Sequence, residues 1–86
     1  MKKSHSNLIN LITRRVDNII YGEYILPYQF TMFTNNPDEI NAWIIANLKN
    51  LWYSWSMNEQ FYVSFISEDD ATLFKLFWNP DTRVRT

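Results

Sequence analysis

The sequence FYVSFI at residues 61–66 runs directly into SEDD at 67–70, and this is the clearest structural signal in the chain. The same order occurs 31 positions earlier, where FTMF at 30–33 leads into NPDE at 36–39. In each copy, large alternating side chains predict a strand, and a capping residue followed by acidic residues predicts a helix start. The repeat indicates two β-α units and points to an architecture, not to an activity.

The residues before the first unit predict one more helix and a strand. Apolar side chains recur at three- and four-residue spacing after Ser6, which predicts a helix over 7–20 that ends near Gly22. Residues 23–34 then read as a strand, with Pro27 bending its early part or confining it to an edge. Whether the 7–20 helix packs on the sheet or pairs with another chain stays open at this point.

The remaining elements follow from periodicity and turn residues. A helix is predicted from 37 to about 50, and alternation in 52–66 around Asn58 and Glu59 predicts a hairpin. Residues 51–55 could equally add a turn to that helix. The last helix is predicted over about 68–77. The residues expected on the buried helix faces are Ile40, Trp43, Ile44, Leu48, Ala71, Phe74 and Trp78.

These elements predict a small single α+β domain over residues 1–86, with 1–5 and 82–86 as loose ends. The order is helix, strand, helix, strand, strand, helix, with room for a short final strand. Without the first helix, this is the ferredoxin-like split βαβ arrangement, in which the first and third strands lie side by side. Both later helices would then cover one face of the sheet.

Composition narrows the class of protein. The chain has 86 residues, 20% charged and 47% hydrophobic, which argues against disorder and against a membrane partner. Its 6 Phe, 5 Tyr and 4 Trp are roughly twice the ordinary share and favour a core of large rings. The chain has no cysteine, and the apolar stretch at 8–12 is too short for a secretory signal, so we expect a cytoplasmic protein.

Charge is unevenly distributed along the chain. The net charge is −1, but both ends are basic and the middle is acidic. If the ends meet, they would form a basic patch, and the alternative is that they only keep a small domain in solution. The candidate patch residues are Lys2, Lys3, Arg14, Arg15, Arg83 and Arg85.

No group of residues predicts catalysis, a cofactor or a metal site. The acidic residues at 38–39 and 68–70 are explained by their position at helix starts. His5 is the only histidine, no serine lies in a nucleophile motif, and the single glycine rules out the usual phosphate-binding loops. We therefore expect a protein that is not an enzyme.

The aromatic residues of the predicted hairpin leave three interpretations. They could be core beneath the first helix, stack bases of single-stranded RNA or DNA, or form an apolar patch for a protein partner or a second copy of the chain. The acidic charge of the middle segment weakens the nucleic-acid interpretation. The rings expected to contact a partner are Tyr28, Tyr53, Trp55 and Tyr62, because Tyr and Trp tolerate half-exposed positions.

The sequence FISEDDATLFKLFW at 65–78 resembles the strand-to-helix ending of short phage-encoded proteins. The resemblance implies a viral source and a compact α/β fold, and it transfers no site residues. Together with the exposed rings, it predicts a phage accessory factor that binds a host or viral protein. Single-stranded RNA or DNA is the alternative ligand, and the basic ends of the chain would help to bind it.

Overall fold

The computed structural model describes residues 9–21 and 24–82 and shows an α+β domain of two helices and an antiparallel sheet. Both helices and the hairpin lie where the sequence predicts them, although the first helix ends at Asn47, before the expected end near 50. The short final strand covers Asp81 and Thr82, whereas residues 82–86 were expected to form such a strand or to stay loose. The elements in chain order are β1 (Ile20–Tyr21), β2 (Tyr24–Ile25), β3 (Tyr28–Phe33), α1 (Pro37–Asn47), β4 (Trp52–Met57), β5 (Gln60–Phe65), α2 (Glu68–Trp78) and β6 (Asp81–Thr82).

The main sheet has the strand order β4-β5-β3-β6, and every neighbouring pair is antiparallel. The strands of the two β-α units, β3 and β5, lie next to each other over six residue pairs, from Tyr28 opposite Phe65 to Phe33 opposite Gln60. The short β1 and β2 form a separate two-stranded sheet.

Both helices pack on the same face of the main sheet. Phe74 of α2 is fully buried, and its ring centroid lies 5.1 Å from that of Phe65 and 5.8 Å from that of Phe30. Ile40 and Ile44 of α1 belong to the same buried cluster. The opposite face of the sheet, which we call the open face, therefore receives no helix among the described residues.

The starts of the two helices differ from each other. Ser67 caps α2 as predicted, because its Oγ accepts the backbone N–H of Asp70 at 3.3 Å. Asn36 was also expected to cap, but its side chain makes no capping hydrogen bond. The start of α1 keeps two other helix-start features: Pro37 at the first helical position, and the acidic Asp38 and Glu39 in the first turn.

The helix predicted over 7–20 is wrong for the residues that the structure describes. Asn10 Oδ1 accepts the backbone N–H groups of Ile12 and Thr13, both at 3.0 Å, which makes a tight turn. Ile9 then forms an antiparallel bridge with Val16. β-Branched side chains tolerate this extended backbone better than a helix, although their spacing matches both.

The strand predicted over 23–34 is also interrupted. β2 and β3 are separated at Leu26 and Pro27, where proline cannot donate to a ladder. Leu26 is fully buried at this break. Gly22, Glu23 and the predicted loose segment 1–5 lie outside the described residues, as do 83–86, whereas Thr82 belongs to β6.

Candidate functional site

The open face is formed by three rows of side chains, because residues directly opposite in antiparallel strands share a face. The middle row runs across β3, β5 and β4 as Thr31, Tyr62 and Trp55, and in β6 Asp81 lies opposite Thr31. The row on one side consists of Gln29, Ser64 and Tyr53. The row on the other side consists of Phe33, Gln60 and Met57. Three of the four rings expected to contact a partner, Tyr53, Trp55 and Tyr62, therefore come together on this face.

Trp55 and Tyr62 form a stacked pair at the centre of the open face. Their ring centroids lie 4.7 Å apart, and the ring planes differ by only 12°. The Tyr62 hydroxyl donates to Gln60 Oε1, which holds the tyrosine ring in place. Trp55 nevertheless remains 43% exposed. The pair is thus an ordered aromatic surface that solvent still reaches.

Two further exposed side chains, Phe33 and Met57, extend this surface toward the hairpin turn. Phe33 is 70% exposed and Met57 is 55% exposed, and each lies opposite Gln60. Sequence reasoning did not select either residue, although strict alternation within each strand assigns both to the same side as Trp55 and Tyr62. Strand alternation combined with the hairpin register could have found them.

Charge is absent from all eighteen residues of β3, β4 and β5, each of which the structure describes. On the open face these three strands contribute aromatic, thioether, hydroxyl and amide groups, and Asp81 of β6 lies opposite Thr31 in the register. Such a surface can stack, pack and donate or accept neutral hydrogen bonds. None of these eighteen residues has a group that would pair with a carboxylate, a phosphate or an ammonium ion.

Tyr53 lies at one end of the open face beside Arg15. The Arg15 guanidinium carbon lies 5.0 Å from the Tyr53 ring centroid and 5.9 Å from that of Trp52. The same guanidinium donates to the backbone carbonyl of Ser54 on the outer edge of β4. Tyr53 is half-buried in this arrangement, so it offers less surface than Trp55.

Tyr28 lies apart from the other three candidate rings. Its register opposite Phe65 assigns it to the helix-covered face, where it packs half-buried against the core cluster. Tyr28 therefore cannot share a ligand surface with Trp55 and Tyr62 on the open face.

The two described residues of the candidate basic patch both bind backbone carbonyls within the chain. Arg14 Nη1 donates to the carbonyl of Leu48 at 2.7 Å and Nη2 to that of Ile45 at 2.8 Å, at the C-terminal end of α1. Arg15 is bound at Ser54. Lys2, Lys3, Arg83 and Arg85 lie outside the described residues.

The acidic run at the start of α2 has a structural role that the sequence did not reveal. Asp70 is 3% exposed, and its carboxylate accepts the backbone N–H groups of Lys49 and Asn50. An open cleft borders this contact, lined in part by Asn47, Asp69 and Thr72. Among the described residues, no three histidine or acidic side chains gather into a group that could hold a metal ion.

A second exposed apolar surface lies on α2. Leu73, Leu76 and Phe77 are 51%, 76% and 63% exposed, and their spacing puts them on one side of the helix. Phe77 stacks on Trp43 of α1 with ring centroids 4.8 Å apart. This surface is flanked by the charged residues of α2.

Comparison of the chain with protein-family models, curated proteins and solved structures returns no match. Neither helix among the described residues is long and apolar enough to cross a membrane.

Proposed function

We propose that the chain is a small non-enzymatic interaction domain that binds a protein partner through the open face of its sheet. The observation that carries this proposal is the stacked pair of exposed Trp55 and half-buried Tyr62 at the centre of three strands that have no charged residue. The centres of protein interfaces are depleted in charge and enriched in Tyr, Trp, Phe and Met. Phe33 and Met57 complete that composition here.

The strand order β4-β5-β3-β6 supports a ferredoxin-like split arrangement, whose helix-free sheet face is available to a ligand. The resemblance of residues 65–78 to phage-encoded proteins supports a phage accessory factor acting on a host or viral protein. Such a protein would work in the host cytoplasm.

Single-stranded RNA or DNA is the second candidate ligand, because a stacked Trp-Tyr pair on a helix-free sheet face could also stack bases. Charge argues against it. The chain carries eight basic and nine acidic side chains, a net charge of −1, and both described arginines bind carbonyls. Phosphate binding depends on Lys and Arg, so we rank a protein partner first.

The test is a selection of random displayed peptides against three immobilised forms of the chain. These are the wild type, Trp55→Ser on the open face, and Leu76→Ser as a matched control on the exposed side of α2. We expect the wild type and Leu76→Ser to enrich the same peptides and Trp55→Ser to lose them. Enrichment of the same peptides by all three would overturn the proposal.

A labelled oligo-dT tests the second candidate on the same three proteins at low salt. Retention that falls steeply as salt rises, and that Trp55→Ser abolishes, would replace the protein partner by nucleic acid. Light scattering of the wild type reports whether a second copy of the chain is the partner. A stable dimer that Trp55→Ser dissociates would make self-association the function of the face.

A further inference from the structure

We propose that the partner segment is the extended C-terminal end of another protein, which adds as an antiparallel strand to the outer edge of β4 and places its terminal carboxylate at Arg15. This inference rests on the proposed function and names the kind of segment that the open face recognises. Three features of the described residues support it: the outward backbone groups of β4, the segment that closes one end of this edge, and the charge at that end.

The hairpin turn fixes which backbone groups of β4 point outward. Asn58 and Glu59 connect β4 to β5, and both are in the left-handed region, as in a type I′ turn. The residues that flank such a turn, here Met57 and Gln60, exchange both of their backbone hydrogen bonds. Every second residue of β4, counted back from Ser56, therefore directs its N–H and C=O groups away from β5.

The outward groups of β4 have partners at the start of the strand but not at its end. Both backbone groups of Trp52 bond to the segment 14–16. The carbonyl of Ser54 accepts the Arg15 guanidinium. No described residue hydrogen-bonds to the outward N–H of Ser54 or to the N–H and C=O of Ser56. Ser56 is exposed, so an added strand would find three backbone partners here.

The segment 14–16 limits how far a strand can extend along this edge. It lies parallel to β4 at the bridge between Arg15 and Trp52. An added strand that continued past Ser54 toward Trp52 would collide with it. The position opposite Ser54 is therefore suited to a chain end, and a strand antiparallel to β4 reaches it with its C-terminus.

Arg15 gives this end of the edge a positive charge. Its guanidinium carbon lies 5.0 Å from the Tyr53 ring centroid, and the hydrogen bond to the Ser54 carbonyl uses one of the five guanidinium N–H groups. A carboxylate opposite Ser54 would accept the Ser54 N–H and one of the remaining guanidinium N–H groups. A strand in the other direction would bring an N-terminal ammonium group to the same place, where the guanidinium repels it.

The open face and α1 provide contacts for the side chains of such a strand. With its last residue opposite Ser54, its penultimate residue lies opposite Trp55, on the open face and next to Met57. Trp55 and Met57 are 43% and 55% exposed, so an apolar penultimate side chain buries apolar surface on both. The last side chain points toward α1, where Asn41 accepts a hydrogen bond from Ser54 Oγ at 2.8 Å and Ile45 is 38% exposed one turn further on.

The experiment is a titration of the ¹⁵N-labelled wild-type chain with the peptide acetyl-Gly-Ser-Thr-Val-Phe-Val, as the free acid and as the C-terminal amide. We expect the acid to shift the backbone N–H signals of Ser54 and Ser56 and the indole signal of Trp55. The amide should bind about 10- to 100-fold more weakly, because it loses the charge-assisted hydrogen bonds of the terminal carboxylate. A third form, with Ser in place of Phe, should bind about 10-fold more weakly than the acid, since it loses the apolar contact with Trp55.

Variants then assign the contact. Arg15→Gln should bind acid and amide equally within about twofold, whereas Arg15→Lys keeps the charge and should keep a preference for the acid. Ser56→Pro removes an outward N–H without removing a hydrogen bond between β4 and β5, and it should weaken binding of the acid about 10-fold. Ser56→Thr keeps that N–H and is the matched control. Comparing acid with amide within each variant separates loss of the contact from loss of stability.

Three results would overturn the inference. The first is equal binding of acid and amide to the wild type, which needs no variant. The second is acid-induced shifts that map to α2 instead of β4. The third is a dimer of the wild-type chain that Ser56→Pro dissociates, because a second copy of the chain would then occupy the edge.

The two proposals fail in different ways. If displayed peptides depend on Trp55 while the acid causes no shifts at Ser54 and Ser56, the edge and the carboxylate are wrong and the binding face stands. If no displayed peptide depends on Trp55 at all, the binding face is wrong as well.

Discussion

The carboxylate of Asp70 accepts the backbone N–H of Asn50 at 2.8 Å, which joins the first turn of α2 to the loop after α1. The same carboxylate accepts the N–H of Lys49 at 3.3 Å. Because Asp70 is 3% exposed, these donors replace the water that its charge would otherwise require. The contact fixes the relative position of the two β-α units.

Replacing Asp70 by alanine should lower the free energy of unfolding by about 2–3 kcal/mol, since hydrogen bonds to a buried charged group are lost. Urea unfolding followed by circular dichroism measures this change. Asp69→Ala is the matched control, because Asp69 occupies the same helical turn but is exposed. Equal losses in the two variants would show that only the helix dipole matters.

Arg14→Ala should lower the free energy of unfolding by about 1.5–3 kcal/mol, because the guanidinium no longer caps the Ile45 and Leu48 carbonyls. Arg14→Lys keeps the positive charge but cannot donate to both carbonyls at once. We expect its free energy of unfolding to lie between those of the wild type and Arg14→Ala. Lys75→Ala, which removes an exposed cation from the last turn of α2, should cost less than about 1 kcal/mol. An Arg14→Ala variant as stable as the wild type would contradict this role.

Phe74 and Phe77 lie three residues apart on α2 and should respond differently to truncation. Phe74→Ala leaves a cavity in the core and should cost about 3–5 kcal/mol. Phe77 is 63% exposed and mainly stacks on Trp43, so Phe77→Ala should cost about 0.5–1.5 kcal/mol. Thermal unfolding of both variants checks the difference, and a reversed order would mean that the helix faces are wrongly assigned.

The hairpin turn predicts a stabilising substitution. Asn58 and Glu59 have φ angles of 53° and 69°, so both lie in the left-handed region. This region costs a side-chain-bearing residue about 1–2 kcal/mol, and asparagine tolerates it best. We expect Glu59→Gly to raise the free energy of unfolding by about 0.5–1 kcal/mol and Asn58→Gly to raise it less. Loss of stability in Glu59→Gly would indicate that the Glu59 side chain contributes contacts.

The sequence was sufficient for the parts of the fold that local signals specify. Both helices and the hairpin were predictable because their signals span only a few residues. These signals are Pro37, Ser67 and the alternation around Asn58 and Glu59. The first segment was mistaken for a helix because its spacing is compatible with one. Its conformation depends on Arg14 and Val16 binding residues more than thirty positions away, which no local pattern encodes.

The candidate surface was predictable only in part. Tyr53, Trp55 and Tyr62 were selected as half-exposed ring types and share the open face. Tyr28 was selected by the same reasoning but lies on the helix-covered face, as its alternation with Phe30 and Met32 in β3 requires. Arg14, Arg15 and Asp70 form hydrogen bonds with backbone groups, and only the tertiary structure reveals these contacts. A sequence does not distinguish a charged side chain in solvent from one that binds the backbone.

Glu59 is the only charged residue between Lys49 and Glu68. Its position at the tip of the hairpin puts a carboxylate beside strands that would otherwise be attractive templates for intermolecular stacking. A carboxylate at this point occupies the place of a gatekeeper residue, next to apolar strands and in an unfavourable backbone conformation. We therefore expect a glycine at position 59 to give a more stable hairpin in a protein of lower solubility.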